Sequence, residues 1–142
     1  LDETSELVHV MRVLVAEDDE DGREVLTAAL RQLGAEVDAV ADGGRLLVAI
    51  AAQYRDGNAL PPPDLIVTDV LMPVCSGLSV LEAMRAAHWT IPVIVITGRD
   101  SPAVRASTEL CGATLMLKPI DLLTFQRTVR RLVSEAKPGS PT

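Results

Sequence analysis

A chain of 142 residues with 48% hydrophobic side chains has the size and apolar content of one globular domain with a real core. Twenty acidic against thirteen basic residues leave a net charge of −7, which argues against direct binding to nucleic acid or to an anionic membrane surface. Aromatic residues are only 2% of the chain, so the core must be built from Val, Leu, Ile and Ala.

The first ten residues are polar and mixed and carry no signal-like pattern; a disordered or tag-like N-terminus is expected over residues 1–10. The longest apolar stretch, Leu46 to Ala52, is far short of the roughly 20 residues that span a bilayer, and the reading is a protein without a membrane segment. Arg12 to Ala16 is a short β-branched and apolar run that ends in Glu17-Asp18-Asp19. From Glu20 onward, Val25, Leu26, Ala29, Leu30 and Leu33 recur at helical spacing until Gly34. Glu36 to Val40 alternates as a half-buried strand would, and an Ala- and Leu-rich helix follows Asp42-Gly43-Gly44, ending near Tyr54. The segment RDGNALPPP, residues 55–63, is a surface loop.

Asp64 to Thr68 then forms a continuous apolar strand that runs into Asp69, and Met72-Pro73 breaks the chain before Ser76 caps a helix carrying Leu78, Val80, Leu81 and Met84. Pro92 to Ile96 is a further strand, ending at Thr97; Ser101-Pro102 opens a helix to about Leu110. Leu115 to Leu117 is a short strand ending at Lys118-Pro119, an X-Pro bond able to adopt cis at a tight turn. Asp121 caps a last helix with a stripe of Leu122, Phe125, Val129, Leu132 and Val133, and KPGSPT, residues 137–142, reads as a flexible tail or the start of a linker.

Five strands alternating with five helices, with no hairpin signals, require a parallel sheet covered on both faces: a doubly wound α/β domain. Ligands in such folds sit beyond the carboxyl ends of the strands. Four of those ends carry Glu17-Asp18, Asp69, Thr97 and Lys118. Three carboxylates brought close together repel unless a cation lies between them, and a hard divalent ion such as Mg2+ suits oxygen ligands. Asp69, at the end of the most apolar strand, is pointed by a rigid element as a nucleophile must be. Thr97 offers a hydroxyl and Lys118 a compact positive charge to a phosphoryl group. Asp19, Glu20 and Asp21 are expected only to decorate a solvated loop. Cys75 and Cys111 show no ligand spacing and are expected as reduced thiols of a cytoplasmic protein.

In this order and spacing, VLVAEDDE (13–20), ADGG (41–44), PDLIVTDVLMP with Gly77, IPVIVITG (91–98), Cys111-Gly112-Ala113 and MLKP (116–119) resemble the receiver domain of bacterial two-component response regulators, over roughly residues 11–136. The resemblance implies a CheY-like, flavodoxin-like (βα)5 fold with strand order 2-1-3-4-5. It also implies Mg2+ held by Glu17, Asp18, Asp69 and the main-chain carbonyl of Leu71. In that family Asp69 would accept phosphate from a sensor histidine kinase or phosphotransfer protein, with Thr97 as the switch hydroxyl and Lys118 pairing with the phosphate. The output would pass to a downstream protein or a fused output domain through a face formed by about Ser101 to Ala136, and the domain would not be an enzyme in its own right. Arg127, Arg130 and Arg131 of the last helix offer charges for a homodimer, or simply a solvated face.

Three places differ from the family pattern. Leu115 stands where the family commonly has Tyr or Phe, only four residues separate Ala113 from Lys118 where five are usual, and the segment between Gly44 and Asp64 is long. The first two leave a second reading open, a protein-binding scaffold of receiver fold in which phosphorylation is weak or unused. An aspartyl-phosphate phosphatase would want a second aspartate just after Asp69, and Asp69-Val70-Leu71 supplies none.

Overall fold

In a computed structural model, residues 9–55, 62–72 and 74–136 are described. They form β1 (Arg12–Ala16), α1 (Glu20–Arg31), β2 (Glu36–Val40), α2 (Gly43–Arg55), β3 (Leu65–Asp69), α3 (Gly77–Ala86), β4 (Val93–Thr97), α4 (Pro102–Leu110), β5 (Thr114–Leu117) and α5 (Leu122–Glu135). The strands make one parallel sheet in the order β2-β1-β3-β4-β5. Strand order reverses between β1 and β3, so the crevice expected of a doubly wound sheet opens at their carboxyl ends.

Because successive strand residues point to opposite faces, each central strand feeds two cores. Val13, Val15, Leu65, Val67, Ile94 and Ile96 face α1 and α5, where Leu26, Leu30, Phe125 and Val129 cover them. Leu14, Ala16, Ile66, Val93 and Val95 face the other way, against Leu46 and Ile50 of α2 and Val80, Leu81 and Met84 of α3. Burial on both faces is the reason β3 and β4 read as unbroken apolar runs. The edge strand β2, next to β1 alone in the sheet order, alternates only in its first half: Glu36 and Asp38 are exposed around a half-buried Val37, but Ala39 is exposed as well.

Two apolar stripes are narrower than their spacing implies. Val25 of α1 is 48% exposed and Leu122 of α5 is 40% exposed, both at the end of the sheet where the polar strand ends gather. Strands β3 and β4 each start and stop one residue later than the apolar runs suggest, because Asp69 and Thr97 are still held in the ladder: Val70 N–H donates to Ile96 O at 3.0 Å and Lys118 N–H to Thr97 O at 2.8 Å. β5 begins at Thr114, directly after Ala113, whose N–H closes α4 by donating to Thr108 O at 3.0 Å. Leu115 is partly buried against the α2 and α3 side of the core. Ser76 and Ser101 cap α3 and α4 through their side chains, accepting from Ser79 and Val104 N–H, whereas Asp121 stands at the N-cap of α5 without such a bond. Pro73, residues 1–8, residues 56–61 of the long segment and the tail at 137–142 lie outside the described residues.

Candidate functional site

The polar strand ends do converge. Glu17 follows β1 and is 1% exposed, Asp69 closes β3 and is buried, and Lys118 follows β5. Lys118 Nζ reaches both carboxylates, 2.7 Å from Asp69 Oδ2 and 3.1 Å from Glu17 Oε1. Asp18 joins them from an exposed position, and one oxygen from each of Glu17, Asp18 and Asp69 lies within 4.8 Å of the others. The Lys118-Pro119 peptide bond is cis.

Each buried carboxylate is held by more than the lysine. Asp69 Oδ1 accepts the Leu71 N–H at 3.2 Å, and Glu17 Oε2 accepts the Asp19 N–H at 3.2 Å. Burial pushes the Glu17 carboxyl above the usual carboxylate range, and Asp69 adds to the rise, against the opposing pull of Lys118 and the Asp19 N–H. For Lys118, burial favours the neutral amine, but the carboxylates of Asp69 and Glu17 together outweigh it and raise its pKa. Three carboxylates thus gather at the edge, and the Lys118 ammonium is paired with two of them, Glu17 and Asp69. The deficit of positive charge, and a donor set made only of hard oxygens, fit a small divalent cation such as Mg2+.

Thr97, 2% exposed, ends β4 on the same edge, but its hydroxyl is turned to its own loop: it donates to Arg99 O and accepts from Arg99 N–H, both at 3.1 Å. The sequence places Thr97 at the edge correctly, yet in this conformation its hydroxyl is engaged with main chain.

Apart from Gly77, which belongs to the receiver-like motif after β3, other residues of the site had no sequence signal strong enough to single them out. Asp19 is more than a solvated acid, since its carboxylate accepts the Gly22 N–H at 2.7 Å and so caps α1, while its own N–H steadies Glu17. Arg23 Nη1, from the first turns of α1, donates to the Glu17 carbonyl at 2.9 Å. Gly77 permits close packing: a methyl there would stand 2.1 Å from the Asp69 carbonyl oxygen. Beside the acidic group a cleft of about 280 Å3 opens between α1 and the Lys118–Ile120 turn, walled by Val25, Leu26, Ile96, Ile120 and Leu122.

Elsewhere, both cysteines are free thiols. Arg131 pairs within its own helix with Glu135 at 3.8 Å. Among the described residues no helix is long and apolar enough to cross a membrane.

The family model for the response regulator receiver domain matches residues 13–130. Response regulator MprA of Mycobacterium avium is 35% identical over 129 residues, which cover 90% of this chain and 53% of MprA; MprA of Mycobacterium tuberculosis is 34% identical over the same length. The chain therefore spans about half the length of these relatives. Among solved structures, the Vibrio cholerae chemotaxis protein CheY4 superposes with a TM-score of 0.73 at 28% identity, over 87% of this chain and 99% of CheY4. The signal receiver domain of a signal transduction histidine kinase from Syntrophus aciditrophicus gives 0.75 at 30% identity, over 94% and 98% of the two chains. With a matching family model across most of its length and a flavodoxin-like sheet in the order 2-1-3-4-5, the chain belongs to the response regulator receiver domains of two-component signal transduction.

Proposed function

We propose that this receiver domain takes a phosphoryl group on Asp69 from the phosphohistidine of a sensor kinase or phosphotransfer protein, and that the modified domain presents an altered protein-binding face. The observation that carries the reading is the charge count at the sheet edge: the Glu17, Asp18 and Asp69 oxygens lie within 4.8 Å of one another, and the Lys118 ammonium pairs with Glu17 and Asp69. Such a cluster supports binding of a divalent cation followed by a phosphoryl group.

Glu17, Asp18, Asp69 and the Leu71 carbonyl would hold Mg2+. When bound, it offsets negative charge on the transferring oxygens. Asp69 is held by Leu71 N–H and Lys118, so its carboxylate is oriented before the donor arrives. One Asp69 oxygen forms the new O–P bond as the N–P bond of the donor imidazole breaks, and that bonding pair leaves with the imidazole nitrogen. Lys118, already 2.7 Å from Asp69 Oδ2, then shifts its charge to a phosphoryl oxygen. Thr97 must give up its bonds to Arg99 to donate to the same group, which ties the chemistry to the start of the β4–α4 loop. The domain assists its own modification and turns over no separate substrate. The exposed Val25 and Leu122, flanking the cleft beside Glu17 and Lys118, suit an apolar surface of the donor protein. On the output side, α4, β5 and α5 follow the loop that Thr97 would move.

A fixed scaffold that never uses phosphate is the second reading, favoured by two observations: Thr97 is engaged with Arg99, and Leu115 supplies no large aromatic lever. Intact mass and amide NMR in Mg2+ with acetyl phosphate or beryllium fluoride separate the two. One phosphate adduct, with shifts running from Asp69 through Thr97 to α5, is the expected result. An adduct or mimic bound without shifts at α5 leaves the chemistry but removes the switch, and no binding at all favours the scaffold.

A further inference from the structure

Two glycines at the start of α2 lie against the chain that follows β3. A methyl at Gly43 would stand 1.8 Å from the carbonyl oxygen of Cys75 and 2.6 Å from its carbonyl carbon, so the main chain after β3 lies directly on the first turn of α2. One at Gly44 would meet Val74 Cγ1 at 2.9 Å. Gly98, by contrast, has nothing within 4 Å. The first turn of α2 is itself firmly held: Asp42 Oδ1 accepts the Arg45 N–H at 2.7 Å and Asp42 O accepts the Leu46 N–H at 3.1 Å.

Between these contacts Val74 has a φ of 76° although the residue is 85% exposed. A β-branched residue in the left-handed region is a genuine outlier, and it persists where its surroundings over-determine the backbone. Burial of its own side chain does not hold it there. What surrounds it is Gly44 on one side and, next in sequence, the Cys75 carbonyl seated on Gly43.

At its other boundary the connection is tied to the strand end. Gly77 N–H donates to Val70 O at 3.0 Å, and Leu71 N–H donates to Asp69 Oδ1 at 3.2 Å.

We propose that Gly43 is a positioning residue: by seating the Cys75 carbonyl it fixes the β3–α3 connection, and with it the Leu71 main-chain carbonyl beside Asp69. This rests on the reading of Leu71 as a cation ligand, but the seat itself can be tested without any cation. Because the clash is with backbone, Gly43→Ala must displace the connection, whereas Gly44→Ala meets side-chain atoms alone, the end of the exposed Val74 at 2.9 Å and Asp42 Oδ1 at 3.3 Å.

The experiment compares 1H–15N spectra, thermal unfolding and Mg2+ titration for the parent, Gly43→Ala, Gly44→Ala and Val74→Gly. The expected Gly43→Ala protein unfolds cooperatively with the amides of the central strands in place, moves the Leu71 and Cys75 amides before any metal is added, and binds Mg2+ about 10–100-fold more weakly, the usual cost of losing a support behind a ligand. Gly44→Ala should stay close to the parent on all three readouts. Unmoved Leu71 and Cys75 amides in Gly43→Ala, with parental Mg2+ affinity, overturn the proposal. If Gly43→Ala does not fold, Val74→Gly decides: shifts crossing to Gly44, Arg45 and Leu46 support the seat, and none there overturns it. A parent that binds no Mg2+ sinks the cation reading, while the metal-free Gly43→Ala spectrum still decides the seat.

Discussion

The two ends of the sheet each hold an aspartate near a strand terminus, and they treat it in opposite ways. At the amino end Asp64, just ahead of β3, has its partners matched to it: Arg12 N–H donates to Oδ2 at 2.9 Å, and His9 Nε2 lies 2.8 and 2.9 Å from the two carboxylate oxygens. Those contacts fasten the segment before β1 to the start of β3. At the carboxyl end Asp69 and Glu17 share Lys118 with each other, and Asp18 has no ion pair among the described residues. A satisfied carboxylate clamps structure, whereas a surplus of carboxylates stores repulsion that a ligand can relieve.

Asp69→Asn is the strongest way to break this contrast. It should abolish the phosphate adduct seen by intact mass after acetyl phosphate. Because it removes one of the repelling charges and keeps the shape, it should also raise the melting temperature measured without divalent cation. An adduct that survives in this variant would remove Asp69 from the chemistry, and a lowered melting temperature would contradict the stored repulsion.

Lys118→Ala tests the same idea from the cationic side. Deleting the ammonium leaves Glu17 and Asp69 facing each other and should cost about 1–3 kcal/mol in metal-free buffer; the side chain is 36% exposed, so the loss stays below that of a fully buried pair. Saturating Mg2+ should recover much of that loss. Chemical denaturation with and without Mg2+ reads both effects, and a variant whose deficit ignores Mg2+ would show that the carboxylates do not share a cation site.

Asp64→Ala should behave differently. It leaves the Arg12 N–H without its acceptor and frees His9, at a cost of about 1–2 kcal/mol that Mg2+ does not repair. Phosphorylation should be unaffected. A change in adduct yield would mean that the clamp at one end of the sheet is coupled to the chemistry at the other.

Much of this site was legible in the sequence because strands buried on both faces write themselves as apolar runs, so the polar residue ending each run stands out; Asp69, Thr97 and Lys118 are all of this kind. The expected one-residue boundaries failed at β3 and β4 because the ladder runs on through a polar side chain, which an apolar pattern does not register. Contacts to main chain left still less trace. Arg23 on the Glu17 carbonyl, Asp19 on the Gly22 N–H and Gly43 under the Cys75 carbonyl all involve backbone atoms that every residue possesses. Val25 and Leu122 misled in the opposite sense: their spacing is that of a core stripe, but both are partly exposed along the cleft beside Glu17 and Lys118.

The smallest effect belongs to a carboxylate of a third kind. Asp100, between the strand-end Thr97 and α4, forms an ion pair with Arg105 in which both side chains are about half exposed. The guanidinium hydrogen bond holds the Asp100 carboxyl below its usual range. A folded-state pKa below the unfolded one means that the pair's contribution is present at neutral pH and is lost as pH falls through the folded value. Solvent and salt screen an exposed pair, so Asp100→Asn should lower the melting temperature only slightly at pH 7, less in high salt, and not at all once acid has protonated the carboxylate. A large loss would mean that Asp100 is not an isolated surface charge but belongs with the clamp at Asp64, and that matched partners, rather than burial, decide how much a carboxylate in this domain contributes to its stability.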